Sequence, residues 1–202
     1  MTPPFGNLGV RGLDYSAGTI PGQAIKAAGY EFVIRYVDDP KVGLNSKHIR
    51  PEEYHDLVAA GVNVYLVFEV NTNDMLKGHD TGVANARRAR AGADWIGYPE
   101  GMPIFMACDR HLTNLQIPTA LAYIDGAISV LGNDATGVYG FWELVDTCVA
   151  QGKGKWFWQA GISPDSQDAV HVWQRNDGFT TVGGIECDIN ELRIPINVSA
   201  VT

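Results

Sequence analysis

A helix ending in "AAG" and running straight into an apolar stretch occurs twice, in "AAGYEFVIRYV" at residues 27–37 and "AAGVNVYLVFEV" at 59–70. Helix, glycine cap and buried strand in series is the signature of βα units, and such units build a parallel sheet with helices outside it. The rest of the chain continues the theme. "RPEEYHDLVAAGV" places Pro51 near a helix start and Gly61 just past its end. "IPGQAIKAAGY", "TGVANARRARAGADWIGY", "IPTALAYIDGAISVLG" and "LVDTCVAQG" read as further helices. "GLDYS", "PIFMACD", "ATGVYGFW", "KWFWQAG", "VHVWQRN" and "GIECDIN" join the two opening runs as strands.

Eight strand candidates predict a compact (β/α)8 TIM-like barrel, with reduced helices in the C-terminal units because strands six, seven and eight follow one another closely. One domain is expected over residues 1–202. A doubly wound open sheet is the runner-up, but the chain has no GxGxxG or Walker motif for a nucleotide.

Composition narrows the partners. The net charge is −8 with pI about 5.0, and no basic patch suits nucleic acid. Arg87, Arg88 and Arg90 are expected to face solvent from a helix. Cys108, Cys148 and Cys187 are widely spaced in apolar surroundings, so they read as core residues rather than a zinc set. No run approaches the roughly 20 apolar residues of a membrane span. The N-terminal "MTPPFGNLGVRGLDYS" lacks a charged segment followed by an apolar one. The expectation is a protein not exported by an N-terminal signal. It would be cytoplasmic in the producing cell with holin-type release, or virion-associated.

Barrels of this kind project functional groups from the C-terminal ends of their strands. Those ends carry Asp14; Arg35 and Tyr36; Glu69; Asp109 and His111; Tyr139, Trp142 and Glu143; Trp158 and Gln159; Trp173 and Gln174; Asp188 and Asn190. Singly, each has an ordinary reading. Asp14 and Asp109 could cap helices, Glu69 could pair with Arg35, and His111 could be a rim residue. Four of the carboxylates, Asp14, Glu69, Asp109 and Asp188, at one mouth exceed what packing requires. They suit glycoside hydrolysis, in which one carboxyl group protonates the leaving oxygen and another attacks, activates water or stabilises positive charge. Tyr36, Tyr139 and Trp158 could stack on sugar rings, while Gln174 and Asn190 could read hydroxyls. A metal-dependent phosphodiesterase is an alternative use of the carboxylates.

In order, "GLDYS", "AAGYEFVIRYV", "AAGVNVYLVFEV", "MPIFMACDRH", "GVYGFWE" and "ECDIN" resemble the glycoside-hydrolase-like family catalogued as domain of unknown function 1906. That family is similar to the family 25 lysozymes, which are N-acetylmuramidases, and occurs in actinobacterial envelope proteins and phage lysins. The resemblance spans about residues 12 to 192 and implies action on bacterial cell-wall polysaccharide with no cofactor. Asp14 in "DYS" matches the first-strand acid, Asp109 the first acid of the fourth strand, and Asp188 the last-strand acid, a substrate-orienting position. His111 stands where the fourth strand of the relatives carries a second acid. Glu69 is then assigned as general acid, Asp109 as nucleophile or base, and Asp14 as a tuning carboxylate. A non-catalytic glycan-binding or phage structural module is the alternative.

Overall fold

The computed structural model describes residues 9–161 and 168–196. Residues 1–8, part of the stretch read for an export signal, lie outside them. Eight strands close a barrel in sequence order: β1 Val10–Asp14, β2 Phe32–Tyr36, β3 Asn63–Phe68, β4 Ile104–Cys108, β5 Thr136–Gly140, β6 Trp156–Gly161, β7 Val172–Val182 and β8 Ile185–Leu192. The helices are α1 Gly22–Ala27, α2 Pro51–Ala59, α3 His79–Ile96, α4 Ile117–Leu131 and α5 Trp142–Gln151. No helix among the described residues is long and apolar enough to cross a membrane.

The repeated "AAG" does the same work twice. Gly29 and Gly61 take φ of +85° and +77°, a region costly for residues with a Cβ. The next N–H in each case, of Tyr30 and of Val62, donates back to the carbonyl of Ile25 and of Leu57. The chain then turns directly into β2 or β3, which pair in parallel with Phe32 opposite Asn63.

Neighbouring strands from β1 to β7 pair in parallel. The last strand departs from a (β/α)8 arrangement: β8 runs antiparallel to both β7 and β1. Gly183 and Gly184, with φ of +58° and +82°, form the two-residue connection between β7 and β8. So short a link can make only a hairpin, because a parallel return needs a crossover of about a dozen residues.

Alternation along the strands separates two apolar clusters. Phe32, Ile34, Tyr65, Val67, Phe105 and Trp158 fill the barrel interior. Leu13, Val33, Leu66, Phe68, Met106 and Val138 face the helices. The three cysteines are buried and free.

Arg35 falls on the outward phase, so the alternative in which it pairs with Glu69 does not hold. Fully buried between β2 and α2, it donates from Nε to Glu53 Oε1 at 2.7 Å. Its guanidinium lies 4.0 Å from the centre of the Tyr15 ring. A buried guanidinium needs such a partner, because desolvating an unpaired charge is costly. Arg88 also departs from its expected solvent-facing place. It reaches from α3 to grip Asp38 with two bonds, at 2.9 and 2.5 Å.

Candidate active site

The inward phase that fills the barrel also delivers its polar residues. Asp14 and Tyr36 occupy interior-facing positions of β1 and β2, and Asp188 and Asn190 those of β8. Glu69 and Asp109 fall one residue past β3 and β4, on the same phase as Tyr65 and Val67, and as Phe105 and Ala107. Tyr139 and Gln174 complete the ring from β5 and β7. All eight are gathered at one end of the barrel, at graded depth.

Deepest is a hydrogen-bonded floor. Trp158, 1% exposed, donates from its indole nitrogen to Asn190 Oδ1 at 2.8 Å. It also packs on Tyr139 with ring centres 4.1 Å apart. The tryptophan therefore has no face free for a sugar, and its expected stacking role is corrected to one of support. Asn190 is likewise sealed, donating Nδ2 to Asp14 Oδ2 at 2.7 Å. Gln174 Nε2 donates to the same Asp14 oxygen at 3.0 Å and to Asp188 Oδ2 at 3.4 Å. Both amides are buried props for the carboxylates rather than readers of hydroxyls. Tyr139, also buried, places its hydroxyl 2.5 Å from Gln174 Oε1 and 3.2 Å from Asp109 Oδ1. A chain of polar contacts thus crosses the barrel from Asp109 through Tyr139 and Gln174 to Asp14 and Asp188.

Asp14 is 4% exposed and caps no helix; α1 begins after Pro21 without a side-chain cap. Burial, reinforced by the neighbouring Asp188 and opposed by the two amide bonds, lifts its pKa from 3.8 to about 7. Burial raises Asp188 as well, helped by Asp109 and Glu186. Asp14, Tyr15, Ser16, Tyr36 and Asp188 line a small open pocket. Desolvation pushes Tyr36 strongly upward, with the nearby carboxylates adding to it, so its hydroxyl stays protonated.

The rim is built differently. Asp109 is exposed. Glu69 Oε2 accepts from Lys47 Nζ at 2.8 Å, and that ammonium lies 3.9 Å from the centre of the Tyr36 ring. Glu69 Oε1 is buried and finds no hydrogen-bond partner among the described residues. A second hollow beside it is lined by Asp38, Asn45, Lys47, His48, Glu69 and Arg88. Across the mouth, His111 Nδ1 lies 2.7 Å from Glu143 Oε1, and the imidazole stacks on Phe141 with ring centres 4.0 Å apart. Trp142 stands apart from the floor, exposed at the start of α5. Lys47 escaped the sequence reading, since it sits in an irregular loop where no periodicity marks it. The pairing of Glu143 with His111 escaped because it joins the first turn of α5 to the loop after β4.

A closed eight-stranded barrel whose mouth gathers carboxylates is the build of a glycoside hydrolase-like domain. Residues 23–191 match the Rv2525c-like, glycoside hydrolase-like domain, and the chain belongs to that family. It is 34% identical over 200 residues to Rv2525c of Mycobacterium tuberculosis, which is named as a candidate peptidoglycan hydrolase; 94% of this chain and 83% of that protein are covered. The crystal structure of that Tat-secreted protein with L-tartrate superposes with a TM-score of 0.85 at 33% identity, covering 92% of this chain and 96% of the other. The fold extends to a lysozyme of Streptomyces coelicolor, at TM-score 0.53 and 21% identity over 95% of this chain and 93% of the other. It extends also to a family 25 glycosyl hydrolase of Bacillus anthracis, at TM-score 0.56 and 13% identity over 93% and 90%.

Proposed function

We propose that this protein hydrolyses glycosidic bonds of bacterial cell-wall glycan, with peptidoglycan as substrate. The observation that carries the reading is the convergence of Asp14, Glu69, Asp109 and Asp188 on inward positions at one barrel mouth. The membership of a glycoside hydrolase-like family supports it, as does the relative named for peptidoglycan. Asp109, exposed and touched by Tyr139, acts at the anomeric carbon, attacking it or activating water. Asp14, buried, and Asp188, half-buried, form a pair whose neighbouring charges favour holding one proton between them. Glu69, assigned from sequence as general acid, is engaged by Lys47. Tyr36 and Asp188 line the pocket and meet the substrate.

The reading is of one domain over residues 1–202 acting at the cell wall. The Tat-secreted relative supports export as the route, rather than the holin-type release or virion carriage expected from the N-terminus. Among the described residues no group of three or more His, Cys, Asp or Glu is placed to hold a metal ion. A glycan-binding module without catalysis is the second reading, favoured by the engagement of Glu69 with Lys47.

The test is release of new reducing ends from labelled actinobacterial cell wall. Hydrolysis predicts turnover that Asp109→Asn removes. Binding of the wall without release, by the unaltered protein, supports the module.

A further inference from the structure

We propose that His111, oriented by Glu143, is the group that protonates the leaving oxygen during glycoside cleavage. This rests on the hydrolase reading above and changes its acid.

The geometry carries the argument. His111 lies two residues beyond Asp109, on the same rim, with its side chain 65% exposed. Two contacts fix the ring. Phe141, packed on the barrel-interior cluster, supports it by a near-parallel stack with an interplanar angle of 27°. Glu143 Oε1 holds Nδ1 at 2.7 Å. An ionised carboxylate can only accept a hydrogen bond, so Nδ1 carries its proton toward Glu143, and Nε2 is the nitrogen left for a ligand. No protein group among the described residues meets Nε2.

Stability does not account for this arrangement. An ion pair this exposed contributes little, while ordering the ring and the carboxylate costs side-chain entropy. Glu143 is also committed in an unusual way. Its Oε2 is buried without a partner among the described residues, so the pair with His111 is the hydrogen bond recorded for its carboxylate. An imidazole with one nitrogen tied to a carboxylate and the rest of the ring largely exposed at the rim is an arrangement that moves protons in hydrolases of several folds. The carboxylates of the floor lie deeper, and Glu69 is engaged by Lys47. His111 and Asp109 are the exposed pair of the rim.

In the step assigned here, imidazolium Nε2–H gives its proton to the glycosidic oxygen as the C1–O bond breaks. The bond's electron pair goes to that oxygen, which departs as a neutral hydroxyl. Asp109, directly or through water, meets the positive charge at C1. Water then supplies hydroxyl to C1, and its remaining proton returns to Nε2. Glu143 is a positioning residue that balances the imidazolium throughout.

The experiment compares two substrates with the full chain. Cell-wall glycan has a sugar leaving group that needs protonation. A nitrophenyl glycoside of N-acetylglucosamine has a leaving group that does not. His111→Ala is expected to lower release from wall glycan by roughly 10²–10⁴-fold while leaving nitrophenyl release within a few-fold of the unaltered protein. Added imidazole is expected to restore part of the lost rate. Glu143→Gln is expected to give an intermediate loss on wall glycan and to displace the alkaline limb of the pH–rate profile. Full activity of His111→Ala on wall glycan overturns the assignment and leaves the hydrolase reading standing, as does an equal loss on both substrates. Absence of turnover by the unaltered chain on both substrates overturns both. Circular dichroism of each variant separates loss of chemistry from loss of fold.

Discussion

Asp14 and Glu69 both lie at the end of a strand on an inward position, and the protein treats them in opposite ways. Asp14 sits under the mouth, held by two amides from β7 and β8 and pressed by a second carboxylate. Glu69 sits on the rim with a lysine from a loop laid across it. The difference lies in what the neighbouring strands can supply. Beside β1 stands β8, whose antiparallel course sets Asp188 directly opposite Asp14 and Asn190 opposite Gly12. Beside β3 stand parallel strands that have already passed into loops, so charge there is balanced by loop side chains. One wall of the mouth is thus deep and held by amide hydrogen bonds, while the other is shallow and balanced by a side chain from a loop.

The contrast can be broken at four points, starting with the largest expected effect. Asp109→Asn should cut reducing-end release from cell wall by roughly 10²–10⁴-fold, with the fold retained, because the residue is exposed and makes little of the core. Asp14→Asn should stabilise the protein, and the gain should depend on pH. The folded-state pKa lies above the unfolded one, so Asp14 contributes its stability fully below pH 3.8 and loses it as pH rises through about 7. Asparagine keeps an oxygen for the two amides and carries no charge. The advantage should be absent near pH 3.5, grow by about 1.4 kcal/mol per pH unit between 3.8 and about 7, and level off above, as read by thermal melts across that range. Asn190→Ala should cost roughly 2–3 kcal/mol in denaturant titration, since it strips a partner from both the Trp158 indole and the Asp14 carboxyl group. Lys47→Met should change stability by less than about 1 kcal/mol, because its ion pair with Glu69 is partly exposed. A cost as large for Lys47→Met as for Asn190→Ala would erase the distinction between the two walls.

The strands and helices were legible because hydrophobic alternation and glycine caps are local signals. The gathering of Asp14, Asp109 and Asp188 at one mouth followed from the same alternation once a barrel was assumed. Depth was not legible. Trp158, Gln174 and Asn190 share the inward phase with the rim residues, and only strand register decides that they lie a layer lower. Direction was legible but overlooked, since "VGGI" between two β-rich runs is a hairpin signal. Arg35 could have been placed by counting, as it neighbours Tyr36 and must face the other way. Lys47 and His111 sit in loops, for which the sequence has no period to read.

The hairpin that closes the barrel also sets when the acidic floor comes into being. Asp14 is near the beginning of the chain, and its two amide donors lie 160 and 176 positions later. Contacts between such distant residues are slow to form during folding. During synthesis, a chain exposed only as far as β6 already holds Asp14, Glu69 and Asp109 but lacks Gln174, Asp188 and Asn190, the groups that surround Asp14 in the finished barrel. Docking of β7 and β8 brings both amide donors and the second carboxylate to Asp14. The strand that finishes the architecture is therefore the one that sets the second carboxylate beside Asp14, and an unfinished chain carries the acids without the environment that tunes them.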